Sequence, residues 1–382
     1  MGTAAAEGAP AAVDAFLAAL DQGLARQQLA VGEWTPAAEA AVTRFLAGGR
    51  LMVGGPAPDF AAEAMCRSGG LMPLSSLAGV DSPGPRDVAL LGFSGPEPGD
   101  VDAVRRLAAR GVLTIGFGER AARGGIAAAC AHWIDSQAPA PAPGVPLPGI
   151  LDVASLWTFT GELVAACTRA GAMPAMWQCA MLPGAEARNR RYAGTRLHED
   201  QRPPPVPPTG LGAAYLAELR HCVAGFTAGE RGRLREAGEV ARRARRGGGH
   251  AWFLMAGGHL RAAALALPGA LPGFERLDRP PDPTDLAAVL QPGDFLYVQG
   301  YVDPPAGVAE AAHAAGARVC VSSGRRGGPP PAAGADLRLD AQWVFGDAAV
   351  PVPGYDVPIL PPSGFMAAAV YWALVIEAQP SS

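Results

Sequence analysis

Short apolar runs of strand length alternate along the chain with stretches whose apolar residues recur at helical spacing. Runs near 50–54, 71–75, 87–93, 112–117 and 132–135 read as five strands. Runs near 251–256, 273–277, 294–299, 317–322 and 336–340 read as five more. The second run of each set is the least regular. Helical patterns precede each set: AVDAFLAALDQGLA and PAAEAAVTRFLAGG before the first, AAYLAELRHCVAGF and RLREAGEVARRARR before the second. Each set closes with a Pro-rich stretch and an apolar helix, ILDVASLWTFTGELVAACTRAG in one half and FMAAAVYWALVIEA in the other. Strands separated by helices predict an α/β fold, with parallel sheets covered by helices on both faces.

The two sets correspond. Gly95 and Gly300 each follow the third strand run, at an offset of 300 − 95 = 205. Gly111 and Gly316, which close a helical pattern, share that offset, as do Asp135 and Asp340 in the last strand runs. The first runs end in Gly54-Gly55 and Gly257-Gly258, at an offset of 257 − 54 = 203. These anchors predict an internal duplication, two five-strand lobes related by a pseudo-two-fold, with residues 34–170 matching 229–378 strand for strand. Five prolines in the six residues 203–208 mark an extended spacer between them. The expected division is a first domain at 1–198, a linker at 199–210 and a second domain at 211–382.

Composition narrows the function classes. With 382 residues the chain can bury two cores of ordinary size, and a net charge of −4 leaves no basic footprint for nucleic acid. The N-terminus lacks the positive start of a signal peptide, and FMAAAVYWALVI (365–376) is too short to span a bilayer. A soluble, cytoplasmic protein with no membrane partner is expected. The six cysteines are scattered without a C-x-x-C pair and read as small core residues, and neither they nor the histidines form a metal pattern. No lysine occurs, so all 31 basic residues are arginine; Schiff-base, pyridoxal-phosphate and P-loop chemistry are excluded. No cofactor or metal is expected.

In open parallel sheets ligands sit beyond the carboxyl ends of the strands, which directs attention to the stretches after Gly55, Ser94, Gly258 and Gly300. Neither VGGPAPDF nor AGGHLRAAA is a dinucleotide fingerprint, and Pro96 in GFSGP spoils a nucleophile elbow. Glu97, Asp100 and Asp102 crowd the helix start after Ser94-Gly95, with Asp100 read as the N-cap; they repel an approaching phosphate. That stretch is either a well-capped turn or a cradle for an uncharged or amino-bearing sugar. In the second half, His259 is an acid–base candidate and Arg261 an anion holder, or else a helix cap and a solvated charge. Glu162 is the one acid in the neutral run LWTFTGELVAAC, and it either reaches a cleft or lies on the wet side of its helix.

The order of leading helices, Gly-ended strand, Ser-Gly strand end, Asp-ended last strand and closing apolar helix resembles the sugar isomerase (SIS) fold in its tandem, two-copy form. The resemblance spans nearly the whole chain. The family usually reads S-x-S-G-x-[ST] where its hydroxyls and amides hold the phosphate of a sugar phosphate. Here Gly92-Phe93-Ser94-Gly95-Pro96-Glu97 keeps Ser94 and Gly95, and Tyr297-Val298-Gln299-Gly300-Tyr301-Val302 keeps only Gly300. The resemblance implies a substrate site drawn from Gly54, Gly55, Ser94, Gly95, Glu97, Gly257, Gly258, Arg261, Gln299, Gly300, Ser322 and Ser323, with His259 and Glu162 as catalytic candidates. It implies a metal-free, sugar-phosphate-isomerase-like protein that binds a phosphosugar or other carbohydrate derivative, with aldose–ketose isomerisation or deamination as its chemistry. Family isomerases also use a glutamate and often a lysine near the chain end, a pairing the lysine-free sequence cannot supply. The alternative is a carbohydrate sensor or partner subunit that kept the fold without catalysis. A homodimer is the assembly it leaves open.

Overall fold

The computed structural model describes residues 8–57, 60–93, 99–119, 124–139, 144–256, 272–277, 283–301, 304, 306–324, 326–327 and 334–380. Among the described residues, ten parallel strands form two sheets. The first holds β1 (Leu51–Gly54), β2 (Leu74–Ser76), β3 (Val88–Gly92), β4 (Leu113–Gly118) and β5 (His132–Asp135), in the order β2-β1-β3-β4-β5. The second holds β6 (Ala251–Ala256), β7 (Glu275–Leu277), β8 (Phe295–Gly300), β9 (Arg318–Ser323) and β10 (Leu337–Asp340), in the matching order β7-β6-β8-β9-β10. Nine strand positions agree closely with the apolar runs. The exception is the run at 71–75: pairing with β1 begins only at Leu74, while Leu71 makes an antiparallel bridge to Met176.

The two sheets also repeat small polar devices. Asp87, just before β3, accepts the backbone N–H groups of Arg50 at 2.9 Å and Gly84 at 2.8 Å. Asp294, just before β8, accepts those of His250 at 2.7 Å and Gln291 at 3.0 Å. Asp135 closes β5 by accepting the N–H of Gln137, and Asp340 closes β10 by accepting that of Gln342. Both glutamines have positive φ, 56° and 67°, so the same carboxylate-held turn ends the last strand of each lobe.

Four helices fill the space between the sheets: α1 (Gly8–Leu46), α5 (Leu147–Arg169), α7 (Gly210–Arg246) and α10 (Ser363–Glu377). Alternate strand residues turn toward this layer, among them Leu51, Val53, Leu90 and Ile115 from one sheet and Phe253, Phe295 and Tyr297 from the other. The intervening residues face outward. Met52, Ala89 and Leu91 pack with Val104 of α3 (Asp100–Ala109) and Ile126 of α4 (Gly124–Ala129). Leu254, Leu296 and Val298 pack with Leu286 of α8 (Pro283–Val289) and Val308 and Ala312 of α9 (Val308–Ala314). The two lobes thus share one apolar core.

Two expectations about helices change. The paired helical patterns ahead of each sheet are single helices, α1 and α7. Pro36 lies inside α1 without ending it, because the buried stripe runs on through Trp34, Ala37, Ala38, Ala41 and Phe45 and tertiary packing outweighs one lost N–H. Asp100 is the first residue of α3 rather than its cap; Gly99, at φ 98°, holds that position. Helix α5 is long and apolar enough to cross a membrane, yet its apolar stretch is entirely buried within the protein, as suits a core helix. All six cysteines are free, and burial pushes the Cys130 and Cys167 thiols up to about 12, so both behave as packing residues.

Candidate functional site

Ser94, Gly95, Glu97, Gly257, Gly258, His259 and Arg261 lie outside the described residues. The remaining sequence candidates are scattered. Gln299 is buried and donates through Nε2 to the Tyr297 hydroxyl at 3.0 Å and to the Ala367 carbonyl at 2.7 Å, so it ties β8 to α10 inside the core. Ser322 points the same way and shares a 2.6 Å hydrogen bond with Tyr297. Strand alternation sends Ser323 to the other face, where it borders a groove with Arg233 and the edge strand β10. Gln299 and Ser322 are therefore packing groups, a correction to their expected place at a strand-end cleft. Gly54 ends β1 and Gly55 follows it, and a Cβ on either would strike a neighbour: Leu77 for Gly54, the Gly92 backbone for Gly55.

Glu162 is neither in a cleft nor on a wet face. It is fully buried in α5 and accepts the backbone N–H of Thr209 at 2.9 Å, that of Gly212 at 3.2 Å and the Thr35 hydroxyl at 3.3 Å. Thr209 precedes α7 in a left-handed conformation and its own side chain caps nothing, so Glu162 supplies the cap from another helix. Burial pushes the carboxyl up from its ordinary range, against the pull of the two N–H donors and Thr35. Glu162→Ala is expected to cost about 2 kcal/mol through orphaned donors, and Glu162→Gln about half of that. Urea unfolding of both variants measures it; a neutral Glu162→Ala would dismiss the capping role.

A cavity of about 340 Å³ lies beyond the carboxyl end of β8. β8 is one of the two strands, with β6, between which the second sheet reverses its winding. Tyr301, the residue after β8, forms one wall. The first lobe contributes Cys66, Arg67 and Ser68, from the turn that follows α2 (Phe60–Ala64). The segment between the lobes brings Gln178 and Cys179, and Asn189 of α6 (Ala185–Tyr192) holds Gln178 by both backbone groups, at 2.9 and 2.8 Å. Asp347 and Ser363, the first residue of α10, also line it, and Trp177, Ala180 and Met181 supply an apolar part of the wall.

A buried charge cluster stands at the back of the cavity. Arg67, 2% exposed, donates through Nη2 to Asp347 Oδ2 at 3.1 Å and to Ser363 Oγ at 2.5 Å, and its Nη1 lies 3.5 Å from Glu63 Oε2. The Trp157 indole donates to Glu63 Oε1 at 3.0 Å. Ser363 donates to Asp347 through both its N–H and its hydroxyl, at 3.0 and 2.7 Å. Burial pushes the Asp347 carboxyl up to about 6, with Arg67 and Ser363 pulling the other way. Burial pushes the Arg67 guanidinium down, but Glu63 and Asp347 outweigh it and the net shift is upward. The Tyr301 phenol, raised by burial, sits 2.7 Å from Cys179 Sγ. Only Tyr301 adjoins a stretch singled out in the sequence; Arg67, Asp347 and Ser363 carried no periodic or motif signal.

No family model matches the chain, and no curated protein matches it in sequence. Solved structures do match in fold. A provisionally named sugar-binding protein from Salmonella typhimurium LT2 aligns over 95% of this chain and 99% of its own, with a TM-score of 0.50 at 10% identity. A provisionally named phosphosugar isomerase from Silicibacter pomeroyi DSS-3 aligns over 95% and 96%, with a TM-score of 0.49 at 18% identity. The C-terminal domain of glucosamine-fructose-6-phosphate aminotransferase from Francisella tularensis aligns over 94% and 93%, with a TM-score of 0.48 at 10% identity. The fold is SIS-like, with two lobes in tandem.

Proposed function

We propose that the protein binds a carbohydrate derivative in the cavity beyond β8, as a binding module of SIS-like fold. The observation that carries this reading is the cavity's position: it lies beyond the carboxyl end of β8 and is walled by both lobes. Its size, about 340 Å³, falls within the roughly 300–1,000 Å³ usual for small-molecule sites. Tyr301, Ser68 and Gln178 offer the hydroxyl and amide groups that sugar hydroxyls pair with, and Asn189 holds the Gln178 backbone in place. The names of the structural neighbours, sugar-binding and phosphosugar-isomerising, point the same way. Binding is favoured over turnover because Asp347, the cavity's one carboxylate among the described residues, commits both oxygens to Ser363 and Arg67.

A thermal-shift panel of free sugars, amino sugars and sugar phosphates tests this. At least one class is expected to raise the melting temperature, and Ser68→Trp, which fills the cavity from a half-buried position, is expected to remove the shift. A shift that survives Ser68→Trp moves the site elsewhere, and no shift with any class ends the carbohydrate reading.

A further inference from the structure

We propose that His198 is a pH-sensitive latch on the cavity wall: the neutral imidazole fastens the segment 176–179, and protonation loosens it. The latch is built from hydrogen bonds within the protein and works whatever the cavity binds. Trp177, Gln178 and Cys179 line the cavity, and Met176 leads into them. The chain around His198 lies alongside. Leu197 forms an antiparallel bridge with Pro174, and the His198 N–H donates to the Met173 carbonyl at 2.8 Å. The His198 side chain is fully buried. Its Nε2 lies 2.9 Å from the Tyr355 hydroxyl and its Nδ1 lies 3.3 Å from Asp200 Oδ1.

The surrounding donors settle which nitrogen carries the proton. The Tyr355 oxygen accepts from Arg188 Nη2 at 2.9 Å and from the Met176 N–H at 3.3 Å, which takes both its lone pairs. Its own proton therefore goes to Nε2 of a neutral imidazole, whose Nδ1–H faces Asp200. A second imidazole proton would point at an oxygen with no lone pair left, and the Tyr355 proton would lose its acceptor. Tyr355 must then turn away, and the Met176 N–H loses its partner. Arg188 also donates to the Met176 carbonyl at 2.8 Å, so the cluster holds both backbone polar groups of Met176.

Arg188 and Tyr192 of α6 face the ring, as do Asp200 on its own segment and Tyr355 and Asp356 from the second lobe; Arg191 pairs with Asp200 from behind. Burial holds the imidazole below its ordinary value and Arg188 adds to this, while Asp200 and Asp356 pull the other way without reversing it. The latch is therefore fully engaged above the ordinary imidazole value of about 6.5 and is lost as pH falls through the lower folded value.

Two measurements on the full chain test the latch. With isotope-labelled histidine, the His198 ring is expected to show the Nδ1–H tautomer at pH 7.5 and a titration midpoint below that of a free histidine side chain. Hydrogen exchange, corrected for its intrinsic pH dependence, is expected to show several-fold faster opening of 174–180 at pH 5.5 than at pH 7.5. His198→Gln, which cannot titrate, is expected to remove that pH step. An Nε2–H tautomer at pH 7.5, a raised midpoint, or protection that does not change with pH overturns the latch. So does a pH step that survives His198→Gln, which would assign the loosening to another group such as Asp347 on the same cavity. Should the variant not fold, the tautomer and midpoint of the unaltered protein decide.

Discussion

Arg67→Met is expected to lower the unfolding free energy by about 3–5 kcal/mol at pH 8, the usual cost of leaving buried carboxylates without their cation. The side chain is 2% exposed and lies between Glu63 on its own lobe and Asp347 and Ser363 on the other. A methionine fills most of the volume but returns none of the charge, so the loss is electrostatic rather than a cavity effect. The pH dependence separates the two. The Asp347 carboxyl is raised in the folded protein to about 6, from 3.8. Its contribution to stability is therefore fully present below 3.8 and is lost as pH rises through about 6. Arg67 limits that loss by favouring the ionised form. Without Arg67 the folded-state value climbs further, and the buried charge at pH 8 has nothing to offset it. On lowering the pH to 5 Asp347 takes up its proton, and the deficit of the variant is expected to shrink to less than about half. Urea titrations of both proteins at pH 8, 6.5 and 5 measure it. A deficit that is small, or equal at all three pH values, would show that the cluster is not the charged tie between lobes that its geometry indicates.

Much of the architecture was legible because it rests on local periodicity. The runs at 87–93 and 294–299 lie within a residue or two of β3 and β8, central strands whose two covered faces make the apolar run continuous. The short edge strands β2 and β7 were harder, since only three residues of each pair with a neighbour and most of their side chains are partly exposed. The sequence shows two helical patterns ahead of each sheet, and the packing of α1 and α7 against α5 and α10 carries one continuous helix through each pair, past Pro36 in the first. The candidate site was much less legible. Arg67 and Asp347 are 280 residues apart, and nothing local to either announces the pairing. Glu162 did stand out, as an acid in a neutral helix, but sequence offers no way to see that the start of α7 lies beside it. Asp347 repeats the arrangement for α10: its preceding residue, Pro362, has no capping side chain, and a carboxylate from an earlier turn accepts the Ser363 N–H instead. Glu162 and Asp347 thus each satisfy the start of a helix from outside it. At Asp347 the same group also borders the cavity.

Gly55→Ala is expected to destabilise the protein by roughly 2–5 kcal/mol and to do so whether or not a ligand is present. Two costs combine. Gly55 has φ 104°, which an L side chain reaches only at about 1–2 kcal/mol. Beyond that, a Cβ would stand 2.4 Å from the Gly92 carbonyl oxygen and 2.7 Å from its nitrogen, and overlap of that kind costs about 1–3 kcal/mol when the backbone must shift. Relief is blocked because Gly92 is itself wedged: a Cβ there would sit 2.3 Å from the Phe60 ring, and Phe60 packs on Phe117. The Ala57 N–H donates to the same Gly92 carbonyl at 3.0 Å, so the chain leaving β1 is fastened across the end of β3. Read from sequence, Gly54-Gly55 suggested close approach of backbone to a ligand. In the structure the close approach is to the neighbouring strand, and losing a sugar-induced thermal shift on altering Gly55 would report damage to this crossing. Gly55→Asn separates the two costs, because asparagine tolerates positive φ better than alanine while carrying the same Cβ. A loss in Gly55→Asn that is smaller than in Gly55→Ala yet still substantial, measured by urea unfolding, is the expected result: the difference is the backbone cost and the remainder is the steric contact with Gly92. A variant protein as stable as the original would instead reopen Gly55 as a ligand cradle.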